Sequence, residues 1–365
     1  MKEPIRVLCV FSTLDRGGAE SMCMNLYRHI DRDKVQFDFV KHTQNKGAFE
    51  DEIASLGGRI FVAPRFTLKT VLTYRRWWKR HLVEHPEHQI VHGHFFTIST
   101  VYFRAAKNMH RTTVGHIHAS ASDGLLKSII CTRISHYTDY PLACSRQAGR
   151  WIYGNRPFTV LNNGLDIELF RYAPEVRASM RSTLGLGNAL ILGTVANLSE
   201  VKNPMGLIDI FLAVKKRRLD ARLVWVGDGT QRGAVEARLR QERIEDSVIL
   251  LGVRDDVPDV LQAMDAFLLP SYSEGLPVSA IEAQAAGMPC FISDRVTRDV
   301  DITSLCQFLP IKGPENWAED WADAILNDHT ERRDVSEKIV AAGYDICTTA
   351  KWLEEFYLDI AKRGK

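Results

Sequence analysis

The sequence predicts an α/β protein built as two doubly wound parallel-sheet domains, and three observations predict it. The chain has 365 residues, room for two domains of ordinary size. Short runs rich in Val, Ile and Leu, with little polar alternation, recur between longer helical patterns. Runs of that kind are strands buried on both faces, as in parallel sheets covered by helices. The charge balance also reverses part-way along. Residues 1–165 hold 23 Lys and Arg against 13 Asp and Glu, a net of +10, whereas residues 166–365 carry a net of −8. Eleven of the twelve histidines lie in the first part.

Strands are predicted over residues 7–11, 36–40, 59–62, 90–92, 113–116, 140–143 and 159–161, then over 190–195, 221–226, 248–251, 266–269 and 289–292. The seam falls near Asn162-Asn163-Gly164, where Asn-Gly marks a turn and the charge flips. A second boundary is expected near residues 341–344. The final helix, 348–363, shows a stripe through Trp352, Phe356 and Ile360. The predicted organisation is a first domain over 1–165, a second over 166–343 and a closing helix over 344–365.

Composition excludes several classes. With 45% hydrophobic and 25% charged residues, this is the makeup of a globular protein. No apolar run reaches the ~18–20 residues that cross a bilayer. The first apolar run is too short for a secretory leader and lacks a small-residue cleavage site, so a cytoplasmic protein is expected. Seven widely spaced cysteines without a C-x-x-C fit neither a disulfide framework nor a zinc ribbon. They read as core residues of a reduced protein.

Doubly wound sheets bind ligands beyond the C-terminal ends of their strands, so the chemistry is sought at the strand exits. The first strand leads to Gly17-Gly18 before a helix, where bare backbone can approach a phosphate or a sugar oxygen. The segment is not G-x-G-x-x-G, and the dinucleotide fingerprint is absent. Strand 190–195 leads to Asn197 and Lys202, where an ammonium can meet a phosphate. Strand 221–226 leads to Gly227-Asp228-Gly229, a tight turn against which a ring could lie. Strand 266–269 leads to Ser273-Glu274-Gly275-Leu276-Pro277 and a helix with Pro277 at its first position and Gly287 at its end. A helix N-terminus here suits a diphosphate. Glu274 and Glu282 flank it. Carboxylates repel phosphate at contact, so they should accept from hydroxyls, one on a sugar and one on a ribose. A nucleotide sugar satisfies all three groups.

Two H-x-H pairs, His92-Gly93-His94 and His116-Ile117-His118, stand at strand ends. Alternation puts both members of a pair on one face. Four such histidines could ligate zinc. The favoured reading is one histidine contacting a substrate hydroxyl and three supporting it.

These residues resemble glycosyltransferase family 4. The resemblance rests on Gly17-Gly18-Ala19-Glu20, Asn163-Gly164-Leu165-Asp166 with Phe170, Lys202-Asn203-Pro204, and above all Glu274-Gly275-Leu276-Pro277 through Glu282-Ala283 to Gly287 and Pro289. It implies a GT-B fold: two Rossmann-like domains facing a cleft, with the C-terminal helix crossing back to the first. It implies a retaining transfer from a nucleotide sugar, with a UDP-sugar expected. Glu282 would bind the donor ribose, Glu274 the transferred sugar, Lys202 the leaving diphosphate and Gly18 the phosphates or sugar. The backbone near Gly227 and Arg254 would hold the base, and His118 would lie near the donor sugar. One departure concerns the diphosphate clamp. The family often carries Arg shortly before the lysine, whereas this chain reads Ala196-Asn197. Arg295 or Arg298 is the suggested replacement. The segment from Ile292 to Thr303 points to a bacterial exopolysaccharide or capsule subgroup. Asp299-Val300-Asp301 has D-x-D spacing at a place that matches no metal site of this fold, so neither cofactor nor divalent cation is expected.

The positive first domain should face an anionic partner, such as membrane lipid or a polyprenyl-diphosphate-linked glycan acceptor. Within residues 69–82, Val71, Tyr74, Trp78 and Leu82 align at helical spacing beside Arg75, Arg76, Lys79 and Arg80. The plain reading packs that stripe on the sheet; the alternative lays the helix on a membrane. A nucleotide-sugar 2-epimerase and a non-catalytic assembly partner are the competing classes. No nucleic-acid motif is present.

Overall fold

The computed structural model describes residues 3–67, 69–94, 98–118, 133–311 and 317–363; Cys131 lies outside them. The chain divides into two compact units, Met1–Leu165 with Gly343–Lys365, and Asp166–Ala342.

The first unit carries a parallel sheet of β1 (Ile5–Val10), β2 (Val35–Lys41), β3 (Ile60–Val62), β4 (Ile90–Gly93), β5 (Thr112–Ile117), β6 (Tyr140–Ala143) and β7 (Thr159–Val160), in the order β3-β2-β1-β4-β5-β6-β7. Its inner strands are buried on both faces, as the unbroken apolar runs require. The buried Asp38 carboxylate is shared by Arg6, Arg59 and His88, which knits the start of β1 and the approach to β3 onto β2.

The last helix, Ile346–Arg363, belongs to this unit. Its buried residues include Ile346, Ala350, Leu353, Tyr357 and Ile360, a stripe at helical spacing that joins the core beneath β1 and β2. Of the expected stripe, Ile360 is buried and Phe356 packs partly buried against this core. Trp352 instead lies 36% exposed, stacked on Phe356 at 5.1 Å, because Leu353 and Tyr357 fill the sheet-facing positions. The Val71–Glu84 helix follows the plain reading: Tyr74, Trp78 and Leu82 are fully buried, while Arg75, Arg76, Lys79 and Arg80 are exposed.

The second unit carries β8 (Ile191–Val195), β9 (Arg222–Val226), β10 (Val248–Gly252), β11 (Ala266–Leu269), β12 (Cys290–Ser293) and β13 (Cys306–Leu309), all parallel, in the order β10-β9-β8-β11-β12-β13. Strand β13 was not expected from the sequence. It is an edge strand, only partly buried and interrupted by the exposed Gln307, so it lacks the continuous apolar run of the others. The cysteines among the described residues are free. Cys9, Cys23, Cys144 and Cys290 are buried, Cys306 is partly so and Cys347 is exposed. No helix among the described residues is long and apolar enough to cross a membrane.

Candidate functional site

Both sheets reverse their direction of growth once, between β1 and β4 in the first unit and between β8 and β11 in the second. The exits of strands that flank such a switch point diverge and leave a crevice, where this class of sheet takes its ligands. Several of the predicted residues fall there, whereas His118, Gly227 and Arg254 follow β5, β9 and β10. Gly17 and Gly18 follow β1, His94 follows β4, Asn197 and Lys202 follow β8, and Ser271 through Pro277 follow β11.

In the second unit the two switch-point exits are tied together. Tyr272 donates its N–H to the Val201 carbonyl (2.8 Å). Asn203 adopts the left-handed conformation (φ 54°), caps the Pro204–Arg217 helix by accepting from the Gly206 N–H, and donates its amide to the Pro270 carbonyl at 3.1 Å. Asn before Pro at a helix start is a capping signature, so this role was readable although Asn203 was not singled out as a site residue. The ties bring the Lys202 ammonium to 2.5 Å from a Glu274 carboxylate oxygen, both side chains partly buried. The sequence assigns these residues to different groups of a ligand; the structure makes them a pair.

The Val278–Ala285 helix begins just beyond, after the partly buried Gly275 and Leu276. Pro277 is its N-cap rather than its first helical residue, with φ −74° and ψ 105°. An N-cap proline offers no side-chain acceptor. No side chain caps this end and no acid lies in its first turn, so its N–H groups and dipole remain available to an anion. The helix closes with Gly287 at φ +69°, whose N–H bonds Gln284 while that of Met288 bonds Ala283. That is the paired closure a left-handed glycine permits. Glu282 sits within this helix. Burial pushes its carboxyl up to about 7, and no cation among the described residues bridges it.

Gly227 (φ +133°) lets the β8 and β9 exits cross closely, since a side chain there would meet the Ala196 carbonyl at 2.1 Å. Arg254 is held by both carboxylate oxygens of Asp256, at 2.6 and 2.5 Å. Asn197 is exposed and accepts from the Ser199 hydroxyl at 2.8 Å. Arg298 lies over the Phe308 ring at 4.7 Å, and Arg295 is 3.6 Å from its neighbour Asp294.

In the first unit Gly17 is the N-cap of the Gly18–His29 helix. Space above Gly18 is open to 4 Å, whereas the Glu20 carboxylate lies against Gly17. At the ends of β4 and β5 the two H-x-H pairs assemble into one cluster. Ring centroids are 4.1 Å apart for His92 and His94, 4.2 Å for His116 and His118, and 5.2 Å for His94 and His118. His94 Nδ1 and His118 Nε2 share a hydrogen bond of 2.9 Å. Tyr357 holds His92 Nδ1 at 2.5 Å, and Phe11 stacks on His94 at 4.4 Å. Burial pushes all four imidazoles below their ordinary range, His92 to about 3 and His118 to about 4, so they are neutral at pH 7. The anchoring roles of Tyr357 and Phe11 had no local sequence signature, because both are contacts between distant segments.

A model of Glycosyltransferase Family 4 matches residues 16–169, and one of Glycosyl transferases group 1 matches residues 189–328. EpsF of Bacillus subtilis is 35% identical over 361 residues, covering 93% of each chain. The chain belongs to glycosyltransferase family 4. As a family 4 member it is a glycosyltransferase. The UDP-Gal:alpha-D-GlcNAc-diphosphoundecaprenol alpha-1,3-galactosyltransferase of Escherichia coli shares 33% identity over 140 residues, 37% of this chain and 36% of its own. Among solved structures, Anabaena HepE in complex with UDP and glucose has a TM-score of 0.79 at 19% identity, covering 97% of this chain and 99% of HepE. A Rickettsia africae glycosyltransferase reaches 0.80 at 15%, covering 99% and 100%. The two all-parallel units are those of the GT-B fold.

Proposed function

We propose that this enzyme moves a hexose from a UDP-sugar, with retention of configuration, to a hydroxyl of a lipid-linked glycan in surface polysaccharide assembly. The observation that carries the reading is the Lys202–Glu274 pair at a sheet switch point, beside an uncapped helix N-terminus. The relative that acts on a diphosphoundecaprenol-linked sugar and the fold neighbour that holds UDP support the substrate class. In this mechanism the bond from the anomeric carbon to the diphosphate lengthens first. The charge that builds on the leaving phosphate meets the Lys202 ammonium and the N–H groups at the start of the Val278–Ala285 helix. Glu274 accepts from hydroxyls of the transferred sugar. The acceptor oxygen attacks from the face the phosphate leaves, and its proton passes to a phosphate oxygen. The backbone around Gly227 and Arg254 holds the base. No divalent cation takes part. Product analysis over a panel of UDP- and GDP-sugars, with and without EDTA, tests this. Transfer from one UDP-sugar with unchanged anomeric configuration, insensitive to EDTA, is expected. Hydrolysis or epimerisation without transfer would reject it.

Glu282 makes donor binding pH-sensitive. Its carboxyl sits near 7 in the free protein. Ribose hydroxyls donating to it would favour the ionised form, so donor binding releases a proton and strengthens as pH rises through 7. Intact nucleotide sugar should therefore bind about tenfold more weakly at pH 6 than at pH 8. Glu282→Gln should bind weakly at both and lose the slope. Titration calorimetry reads this directly, and an unchanged slope in the variant would remove Glu282 from the donor site.

The exposed Arg75, Arg76, Lys79 and Arg80, flanked by Leu72 at 63% exposure, support a peripheral contact of the first unit with anionic lipid. Replacing all four by Gln should abolish low-salt sedimentation with vesicles containing phosphatidylglycerol. Equal sedimentation of variant and wild type would dismiss the contact.

A further inference from the structure

The four histidines of the first unit are more than the donor-sugar reading requires. That reading uses His118 alone, yet two strand ends bring four imidazoles together. The donor atoms of His94, His116 and His118 all lie within 4.8 Å of one another. Ligands around a tetrahedral zinc at its usual bond lengths stand ~3.3–3.5 Å apart, so small rotations about the side-chain bonds close the set. The cluster also leaves polar atoms unspent. His94 Nε2, both ring nitrogens of His116, and His118 Nδ1 are buried and have no hydrogen-bond partner among the described residues. A buried polar atom left in that state costs ~1–3 kcal/mol, and His116 carries two of them with its residue fully buried.

The backbone explains why the set is preorganised. Strands β4 and β5 are parallel neighbours, in register with His92 opposite Val114 and Gly93 opposite Gly115. The H-x-H pairs therefore advance side by side, and alternation turns all their imidazoles to one face. Two outside contacts fix the rings around the set: Phe11 stacks flat on His94, and Tyr357 of the C-terminal helix holds His92. Ligating histidines are characteristically oriented in this way by neighbours that are not themselves ligands.

We propose that His94, His116 and His118 form a binding site for a zinc-type divalent transition metal, walled by His92 and Phe11. Three imidazoles and no carboxylate suit zinc, cobalt or nickel and disfavour magnesium or calcium, which take oxygen ligands. The site is separate from the transfer chemistry, in which the leaving diphosphate is met by Lys202 and a helix N-terminus of the second unit. Metal takes the place of the proton shared by His94 Nδ1 and His118 Nε2, 2.9 Å apart, with a ring nitrogen of His116 as the third ligand. Metal here is an accessory ligand of the first unit, not a Lewis acid on the diphosphate, and the inference stands or falls independently of the donor assignment.

The test uses the full chain without an affinity tag, stripped with EDTA, dialysed, and loaded with Zn²⁺ or Co²⁺. After desalting, elemental analysis should find one metal per chain, and the Co²⁺ form should show the visible absorption of a four-coordinate imidazole site. His116→Ala and His118→Ala should each lower affinity by at least ~10-fold, whereas replacement of the exposed His110 by Ala should change nothing. Far-UV circular dichroism of the metal-free variants checks that they fold. If His116→Ala does not, His118→Ala at the less buried position decides. Failure of the wild type to retain metal, or equal retention by His110→Ala and His118→Ala, would overturn the proposal.

Discussion

Glu274→Gln is expected to slow turnover by about 10²–10³-fold, the scale of losing one preorganised electrostatic contact to a transition state, with the donor KM changed only a few-fold. Placement accounts for this. Glu274 leaves β11 at the switch point of the second sheet, with its carboxylate 2.5 Å from the Lys202 ammonium. Gln keeps the shape and one acceptor oxygen but removes the charge. A donor already held by its diphosphate and ribose still binds. What weakens is the hold on sugar hydroxyls that become better donors as the ring gains oxocarbenium character. Stability should move little, because partly exposed ion pairs contribute ~1 kcal/mol or less. Steady-state kinetics at saturating donor, together with a thermal melt, separate the two effects. A large rise in donor KM with turnover intact would place Glu274 in ground-state binding instead.

How much of this was legible in the sequence depends on whether a feature is local. Strands buried on both faces announce themselves as apolar runs, so β8 and β11 were readable from Leu192 or Phe267 and their neighbours. Strand β13 was not, because an edge strand has no such run and Gln307 is exposed to water. The C-terminal helix was readable but its face was not. Trp352 is large and apolar at helical spacing from Phe356, yet it stays exposed while Leu353 and Tyr357 fill the core, and only the packing of that helix on β1 and β2 decides this. Glu282 and the helix N-terminus were readable because spacing along one helix fixes them. The Lys202–Glu274 pair was not: 72 residues separate the partners, and their meeting depends on β8 and β11 being neighbours. The histidines fall between the two cases. Strand ends already suggested grouping both H-x-H pairs, but the shared hydrogen bond of His94 with His118 and the anchoring of His92 by Tyr357 follow only from the packing.

Lys202→Met should be the more damaging single change at this pair, for a reason that the geometry supplies. Removing the ammonium forfeits its attraction for the leaving diphosphate. It also uncovers the Glu274 carboxylate, partly buried and no longer neutralised, close to where negative charge grows. Attraction is lost and repulsion gained, so turnover should fall by at least ~10³-fold, beyond the ~10²–10³-fold of a simple deletion. The second half of that loss is reversible. Adding Glu274→Gln to Lys202→Met removes the uncovered charge, so the double variant should be faster than the product of the two single losses allows. Contacting residues couple by ~0.5–3 kcal/mol, and about 1.4 kcal/mol corresponds to about tenfold in rate. The double variant should therefore exceed the multiplicative expectation by about tenfold. Donor affinity should fall in Lys202→Met and partly recover in the double variant, because the same carboxylate repels the ground-state diphosphate. Strictly multiplicative losses in turnover would mean that Lys202 and Glu274 act on the donor separately and that their contact in the free protein has no part in catalysis.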